Sequence, residues 1–241
     1  MIGVVELMDR KGRRLKPEHR SLLGLRCLWL EVPAPAGLGE KRQARRVRRG
    51  GGLLREAGVR RVLTAAEFSN WEALYQAGLR PVEPEAFCQA VAAPLALAAL
   101  TWQERRLEQA AVLLSGRRAE PALVRAAELL CPRVRDLAVD AGADGAALAA
   151  WLRGEFGAAV RPPETVDADV ALCFGPEGAP GRTVFRLWGS EPVLAGFLPA
   201  LAGGGLPAGL DRLPLLAALW EAGLLPLETL RFLPPNTKEC T

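Results

Sequence analysis

The sequence predicts an α/β protein whose main part is a parallel sheet covered by helices. Between residues 106 and 190, short apolar runs alternate with segments of helical periodicity, which is typical of parallel strands joined by crossover helices. Half of the residues are apolar and 24% are charged, as in ordinary globular proteins. The first 83 residues contain fewer such alternations, so we expect a second, smaller N-terminal α/β lobe.

Five strands and two helices are predicted in the main part. The strands are the apolar runs Ala110–Leu114, Asp136–Val139, Ala158–Val160, Val170–Phe174 and, at an edge, Thr183–Trp188. The helices are Glu120–Leu130 and a segment that Asp144 caps and Gly157 ends. Because a helix or a long crossover separates them, the strands at 110–114, 135–139 and 170–174 should be parallel in one sheet.

The N-terminal lobe, residues 1–83, is predicted from weaker patterns. Its strands are Ile2–Leu7, Arg26–Val32 and Arg61–Ala65, and the polar segment Asp9–Arg20 separates the first two. A basic helix begins at Leu38, and Gly50–Gly52 are expected to interrupt it. Ser69 or Asn70 should cap a further helix that Gly78 ends.

The remaining segments are predicted to be mainly helical. Residues 84–105 form a bridging helix that Pro94 is expected to kink. Residues 191–241 form a C-terminal segment that packs back on the core, with a helix at Arg212–Ala222. The segments Leu74–Phe87 and Leu219–Phe232 resemble each other, and a shared helix-stop device, Ala-Gly-Leu followed by proline, is favoured over duplication.

Cysteine and histidine content restricts the chemistry. The five cysteines (Cys27, Cys88, Cys131, Cys173, Cys240) are scattered singly, and His19 is the only histidine. Zinc sites and disulfide frameworks need clustered ligands or paired cysteines, so we predict no metal site and free, mostly buried thiols. His19 lies in a polar stretch and is expected at the surface. No pairing of a base with a nucleophile emerges, so the catalytic residues are unknown and enzymatic activity stays open.

The N-terminal sequence and the hydropathy of the chain bear on its cellular location, and its net charge bears on nucleic-acid binding. The N-terminus lacks the pattern of a secretory signal and no segment reads as a membrane span, so a cytoplasmic protein without membrane association is expected. The net charge is +4, but only four of the 31 basic residues are lysines. An arginine-rich composition of this kind is typical of GC-rich genomes. Net charge alone therefore does not predict nucleic-acid binding.

A candidate ligand site lies where the first strand of the main part ends. Ser115, Gly116, Arg117 and Arg118 form a turn between that strand and a helix, and Asp140 closes the next strand. In these features residues 110–175 resemble the dinucleotide-binding half of a Rossmann-type dehydrogenase. The resemblance implies a parallel sheet, a phosphate at the turn and Asp140 on the ribose hydroxyls of NAD or NADP.

The turn departs from the GxGxxG pattern of that family, because it reads SGRRAE and keeps one glycine. Side chains at the missing-glycine positions occupy the space that a pyrophosphate needs, so NAD and NADP are not the favoured cofactors. Arg117 or Arg118 could instead hold a single phosphate through its guanidinium group. The cofactor is therefore left open, and a small phosphorylated ligand or a protein partner is expected.

Three function hypotheses follow. The favoured one is a noncatalytic Rossmann-like module that binds a small ligand or a protein and has lost the dinucleotide fingerprint. The first alternative is an NAD(P)- or nucleotide-using enzyme with an aberrant phosphate turn. The second is a nucleic-acid-associated protein that uses a cationic stripe of Arg42, Arg45, Arg46 and Arg49, which would share one helix face. Without interleaved aromatic residues, a solvated helix face is the favoured interpretation of this stripe.

Overall fold

The computed structural model describes residues 1–235, which form two compact units. Unit 1 consists of Met1–Glu83 and Gly203–Thr229, and unit 2 consists of Pro84–Ala202 and the chain from Leu230 onward. Each unit is built on a five-stranded sheet with helices. The expected Rossmann-like α/β fold class is confirmed. Lys238 and Cys240 lie outside the described residues.

Sheet 1 belongs to unit 1 and has the order β2-β3-β1-β4-β5. Its strands are β1 (Ile2–Met8), β2 (Glu18–Leu22), β3 (Leu25–Pro33), β4 (Arg61–Leu63) and β5 (Arg80–Pro81). β3, β1, β4 and β5 are parallel, and β2 is an antiparallel edge strand on β3. The sequence did not predict β2 because most of its side chains are polar and exposed, so no apolar alternation marks it.

Three α-helices belong to unit 1, namely α1 (Glu40–Glu56), α2 (Trp71–Gln76) and α7 (Arg212–Glu221). Contrary to the prediction, Gly50–Gly52 do not interrupt α1. A Cβ atom on Gly50 would lie 2.5 Å from Leu30 Cδ2, and one on Gly51 would lie 2.8 Å from Ala77 Cβ. These glycines therefore let α1 approach β3 and the end of α2, and packing outweighs the low helix propensity of glycine.

Sheet 2 belongs to unit 2 and has the order β10-β9-β6-β7-β8, with all five strands parallel. The strands are β6 (Ala111–Ser115), β7 (Asp136–Asp140), β8 (Val160–Arg161), β9 (Val170–Cys173) and β10 (Thr183–Arg186). The predicted parallel pairing of the strands near 110–114, 135–139 and 170–174 is confirmed. The order starts at a central strand, proceeds to one edge and then continues on the other side, as in the Rossmann fold.

The described residues of unit 2 form four α-helices, namely α3 (Glu85–Ala90), α4 (Ala92–Trp102), α5 (Pro121–Leu130) and α6 (Gly145–Phe156). The expected single helix over residues 84–105 is wrong in detail, because the chain breaks at Val91 rather than kinking at Pro94. Pro94 lies in the first turn of α4, where a missing amide hydrogen costs little. Two short antiparallel strands that were not predicted, β11 (Leu198–Leu201) and β12 (Leu230–Leu233), complete this unit.

Glycines end several helices as the sequence predicts. Gly78, Gly157 and Gly223 all have positive φ angles, between 61° and 78°. After α2, the amide of Leu79 donates to the carbonyl of Leu74, and after α7 the amide of Leu224 donates to that of Leu219. The two similar segments of the sequence therefore share a helix-stop geometry.

The glycines of α1 provide a matched test of packing. We expect Gly51→Ala to lower the free energy of unfolding by about 1–3 kcal/mol, because the added methyl group overlaps the methyl group of Ala77. Gly52→Ala is the control, since a Cβ there meets nothing within 4 Å; it should raise stability by about 0.5–1 kcal/mol. Urea unfolding followed by circular dichroism measures both changes, and equal effects of the two substitutions would contradict this account.

Candidate functional site

The five candidate residues lie at the carboxyl edge of sheet 2. Ser115 ends β6 and is the register neighbour of Asp140 at the end of β7, and the amide of Gly116 donates to the Asp140 carbonyl over 2.8 Å. The strand order reverses between β6 and β9, and open α/β sheets bind ligands at such a reversal, outside the carboxyl ends of the strands. The predicted residues thus lie beside the crevice that a Rossmann protein would use.

The loop after β9 packs against the turn after β6 at this reversal. The amide of Phe174 donates to the Ser115 carbonyl over 2.7 Å. A Cβ atom on the buried Gly175 would lie 3.7 Å from the Cα of Gly116 and 3.5 Å from the amide nitrogen of Arg117. The loop after β9 is thus hydrogen-bonded to the end of β6, and Gly175 lies close to the turn that a pyrophosphate would approach.

The glycine that the turn retains has a packing role. A Cβ on Gly116 would lie 3.1 Å from Leu123 Cδ1 and 3.5 Å from Phe174 Cβ. A side chain here would press on the tip of Leu123, so the close packing of α5 favours glycine independently of any ligand. The same edge is crowded from the β7 side, since a Cβ on Gly142, whose φ is 54°, would lie 2.8 Å from the Arg117 carbonyl oxygen.

Both arginines of the turn are already paired with carboxylates. Arg117 Nε donates to Glu177 Oε1 over 2.8 Å, and Arg118 Nε donates to Asp144 Oδ2 over 3.3 Å. The hydrogen bond from Arg117 lowers the pKa of the Glu177 carboxyl. A phosphate would have to displace these exposed carboxylates before either guanidinium group became available.

Asp144 corrects the predicted helix cap. It stands directly before α6, but its carboxylate accepts from the amide of Ala119 over 3.3 Å and makes no capping bond to its own helix. The carboxylate thus ties the turn after β6 to the start of α6. Asn70 likewise precedes α2 without a side-chain capping bond.

The start of α5 is poorly suited to an anion. Pro121 is the first helical residue and has no amide hydrogen, and Glu120 at the N-cap position is exposed. A helix N-terminus binds phosphate through free amides and its positive dipole end. Here one donor is missing and a carboxylate stands in the capping position, so the start of α5 disfavours a phosphate.

The cationic stripe lies on α1 but is not uniform. Arg42, Arg45 and Arg49 are exposed, whereas Arg46 is half-buried and donates to the Pro33 carbonyl over 2.5 Å. Arg45 also lines a cavity that contains the acidic side chains of Glu40 and Glu72. The four arginines therefore do not present one free cationic surface.

The thiols and the histidine lie as expected. Cys27, Cys88, Cys131 and Cys173 are buried and free. Burial raises the pKa of each of these thiols, that of Cys88 to about 12, which disfavours the reactive thiolate. His19 is exposed on β2.

Within residues 1–235, no group of three or more His, Cys, Asp or Glu side chains has an arrangement suited to a metal ion. None of the helices in this range combines the length and the apolar character that a membrane crossing requires.

Comparison with known proteins gives little. No family model matches the chain, and no curated protein matches it. Among solved structures, L-tryptophan dehydrogenase from Nostoc punctiforme is similar at 14% identity and a TM-score of 0.31, over 71% of this chain and 55% of that protein. The chain thus spans about half the length of that dehydrogenase, and a likeness this low supports no conclusion about function.

The sequence analysis did not identify Gly175, which packs near the Gly116 turn, or Glu177, which pairs with Arg117. Their signal was the segment Gly175-Pro176-Glu177-Gly178, which directly follows the strand at 170–174. Glycine and proline after a parallel strand mark a tight loop at the carboxyl edge. The pairing of Glu177 with Arg117, however, spans 60 positions and depends on the strand order.

We expect the Glu177 carboxyl to titrate below the ordinary glutamate range. Carbon-13 NMR of side-chain carboxyls measures this pKa, and Arg117→Ala should return it toward the ordinary value while Arg118→Ala should not. Because the folded-state pKa is lowered, the stabilisation from this pair is present above the unfolded-state pKa and is lost as the pH falls through the folded-state value. An ordinary pKa in the unmodified protein would contradict the ion pair.

Proposed function

We propose that this protein is a noncatalytic Rossmann-like binding module that does not use NAD or NADP. Its ligand would be a small phosphorylated molecule or a protein partner. One observation carries the proposal, namely the packing of the loop after β9 on the turn that contains Gly116, which the Arg117–Glu177 pair reinforces. A dinucleotide needs backbone amides and close backbone approach at this place, where the loop after β9 packs against the turn.

Two features of the candidate residues support a noncatalytic role. Ser115 carries a hydroxyl at the end of β6, but it is 1% exposed, and unit 2 contains no histidine, since the one histidine of the sequence, His19, belongs to unit 1. Asp140 is exposed at the end of β7, while Asp144 and Glu177 are paired with arginines. This edge therefore combines paired charges with packed backbone and lacks an activated nucleophile.

Titration calorimetry with NAD, NADP, AMP and inorganic phosphate tests the proposal. We expect NAD and NADP to bind more weakly than about 1 mM, which corresponds to about 4 kcal/mol of binding free energy. The same titrations are repeated with Asp140→Ala and with Glu155→Ala, a control that removes another exposed carboxylate of unit 2. Micromolar NAD or NADP affinity that falls with Asp140→Ala alone would overturn the proposal in favour of the enzyme hypothesis.

A variant that should bind phosphate more tightly tests whether the Arg117–Glu177 ion pair weakens phosphate binding. Glu177→Gln removes the negative charge that pairs with Arg117 and keeps the size of the side chain. If the ion pair is what withholds Arg117, phosphate affinity should rise in this variant and fall again when Arg117→Ala is added. Unchanged phosphate affinity in Glu177→Gln would show that the packed backbone alone closes the crevice.

A further inference from the structure

The loop between β1 and β2 of unit 1 carries a dense group of cations. Residues 9–17, here named the basic loop, contain Arg10, Lys11, Arg13, Arg14 and Lys16. Together with side chains of β2 and β3, the loop lines a cavity of about 430 Å³. This volume is in the range of small-molecule sites, roughly 300–1,000 Å³.

The charge of this cavity is strongly positive. Six cationic and two acidic side chains line it, which gives a net charge of +4. The two acids are Glu18 and Glu31, and Glu31 accepts from both Arg10, over 2.8 Å, and Arg20, over 2.7 Å. Glu18 pairs with Lys16 and Arg20. The acids thus organise the wall of the cavity without neutralising it.

Three other cations of the basic loop differ from Arg10, Lys16 and Arg20, which pair with these two acids. Lys11, Arg13 and Arg14 are exposed, and across residues 1–235 none of them forms an ion pair with a carboxylate. Three like charges within four positions repel one another, and a polyanion that contacted all of them would relieve this repulsion. This differs from the turn of unit 2, where both arginines are paired.

The cavity also lies where parallel sheets bind ligands. The basic loop follows the carboxyl end of β1, the central strand of sheet 1, and Pro33 at the end of β3 lines the same cavity. Open α/β sheets place their ligands outside the carboxyl ends of the strands. The position therefore agrees with a binding role.

The aromatic residue of the cavity favours a small polyanion over nucleic acid. Trp29 donates its indole N–H to Glu6 over 3.0 Å, and the guanidinium carbon of Arg20 lies 5.3 Å from its ring centre. Single-stranded nucleic acid is bound by aromatic rings on which bases stack. Here Arg20 covers a ring face, so the cavity offers charge contacts and no free stacking platform on that side.

We propose that this cavity binds a compact polyphosphate, meaning a small molecule with two or more phosphate groups in series. A single phosphate group carries about −1.5 to −2 charges at neutral pH, so one such group would leave the net charge of +4 only partly balanced. The inference deepens the proposed function and rests on it for the premise that the chain binds its ligand without converting it. It assigns that binding to unit 1.

Calorimetry with pyrophosphate, tripolyphosphate and ADP tests this site. We expect tripolyphosphate to bind, and the double variant Arg13→Ala/Arg14→Ala to weaken binding at least about tenfold through the loss of charge-assisted contacts. The control Arg42→Ala/Arg49→Ala removes two exposed arginines of α1 in the same unit and should change affinity less than about twofold. Circular dichroism and thermal melting of both variants show that they are folded.

Further measurements distinguish recognition of the phosphate groups from recognition of a nucleoside or of a nucleic acid. ADP binding as tightly as pyrophosphate indicates recognition of the diphosphate group, and tighter ADP binding adds a nucleoside contact; both outcomes support the site. Arg13→Lys/Arg14→Lys should retain most of the affinity, because the charge is kept. The inference is overturned by undetectable binding of all three probes, by equal losses in the two alanine variants, or by an oligonucleotide that binds more tightly than tripolyphosphate.

The two proposals fail separately. Asp140→Ala belongs to unit 2 and should leave tripolyphosphate binding unchanged. Loss of tripolyphosphate binding in Asp140→Ala, with retention in Arg13→Ala/Arg14→Ala, would overturn the assignment to unit 1. Dinucleotide binding that depends on Asp140 would overturn the proposed function, whatever the basic loop binds.

Discussion

The buried carboxylate of Asp169 holds together the segments from which sheet 2 starts. Its Oδ2 accepts from the amide of Ala111 over 3.0 Å and from Arg105 Nε over 3.2 Å, and its side chain is only 2% exposed. β9 is thereby fixed to the start of β6. A buried carboxylate is costly unless it is paired and hydrogen-bonded, and removal of one partner typically costs about 3–5 kcal/mol. The carboxyl edge, where the loops meet, is positioned by this contact at the opposite end of the strands.

Gln103 extends the same network to the edge of the sheet. Its side-chain amide donates to the Asp169 carbonyl over 3.2 Å and to the Thr183 hydroxyl over 2.8 Å, so the end of α4 also joins β10. With three strands held at their amino ends, the register of β6 against β9 is set. That register brings Phe174 and Gly175 against Ser115 and Gly116. The packing of the loop after β9 on the turn thus follows from strand register as well as from the local sequence of the turn.

The sequence predicted those elements of the fold whose structure is determined by residues close together in the chain. The apolar runs at β6, β7 and β9 and the glycines that end helices were correctly identified, because burial on both faces and left-handed backbone leave marks within a few residues. Gly50 and Gly51 misled the prediction, since their role depends on Leu30 and Ala77, which are distant in sequence. The two-residue strand β5 exists only through pairing with β4 and carries no pattern of its own, and β8 overlaps the strand predicted at Ala158–Val160 only at Val160.

The location of the candidate residues was predicted from their positions at the ends of strands. The carboxylates that pair with the two arginines were not predicted. Ser115 and Asp140 can be placed at one edge because they end adjacent parallel strands, whereas the partners of Arg117 and Arg118 come from other loops. The basic loop was overlooked for a related reason. As a sequence it is a polar connection between strands, and it becomes a cavity wall only through β2, the strand that lacks an apolar pattern.

The charge of the cavity equals that of the entire chain, which is +4, so the remaining residues are neutral in sum. The cavity therefore concentrates positive charge, and an anion that approaches it is attracted before any contact forms. Such guidance increases the rate of productive encounter more than it increases the final affinity. It acts over about 8 Å at physiological ionic strength, so the speed of capture by the basic loop should depend on salt more steeply than the speed of release.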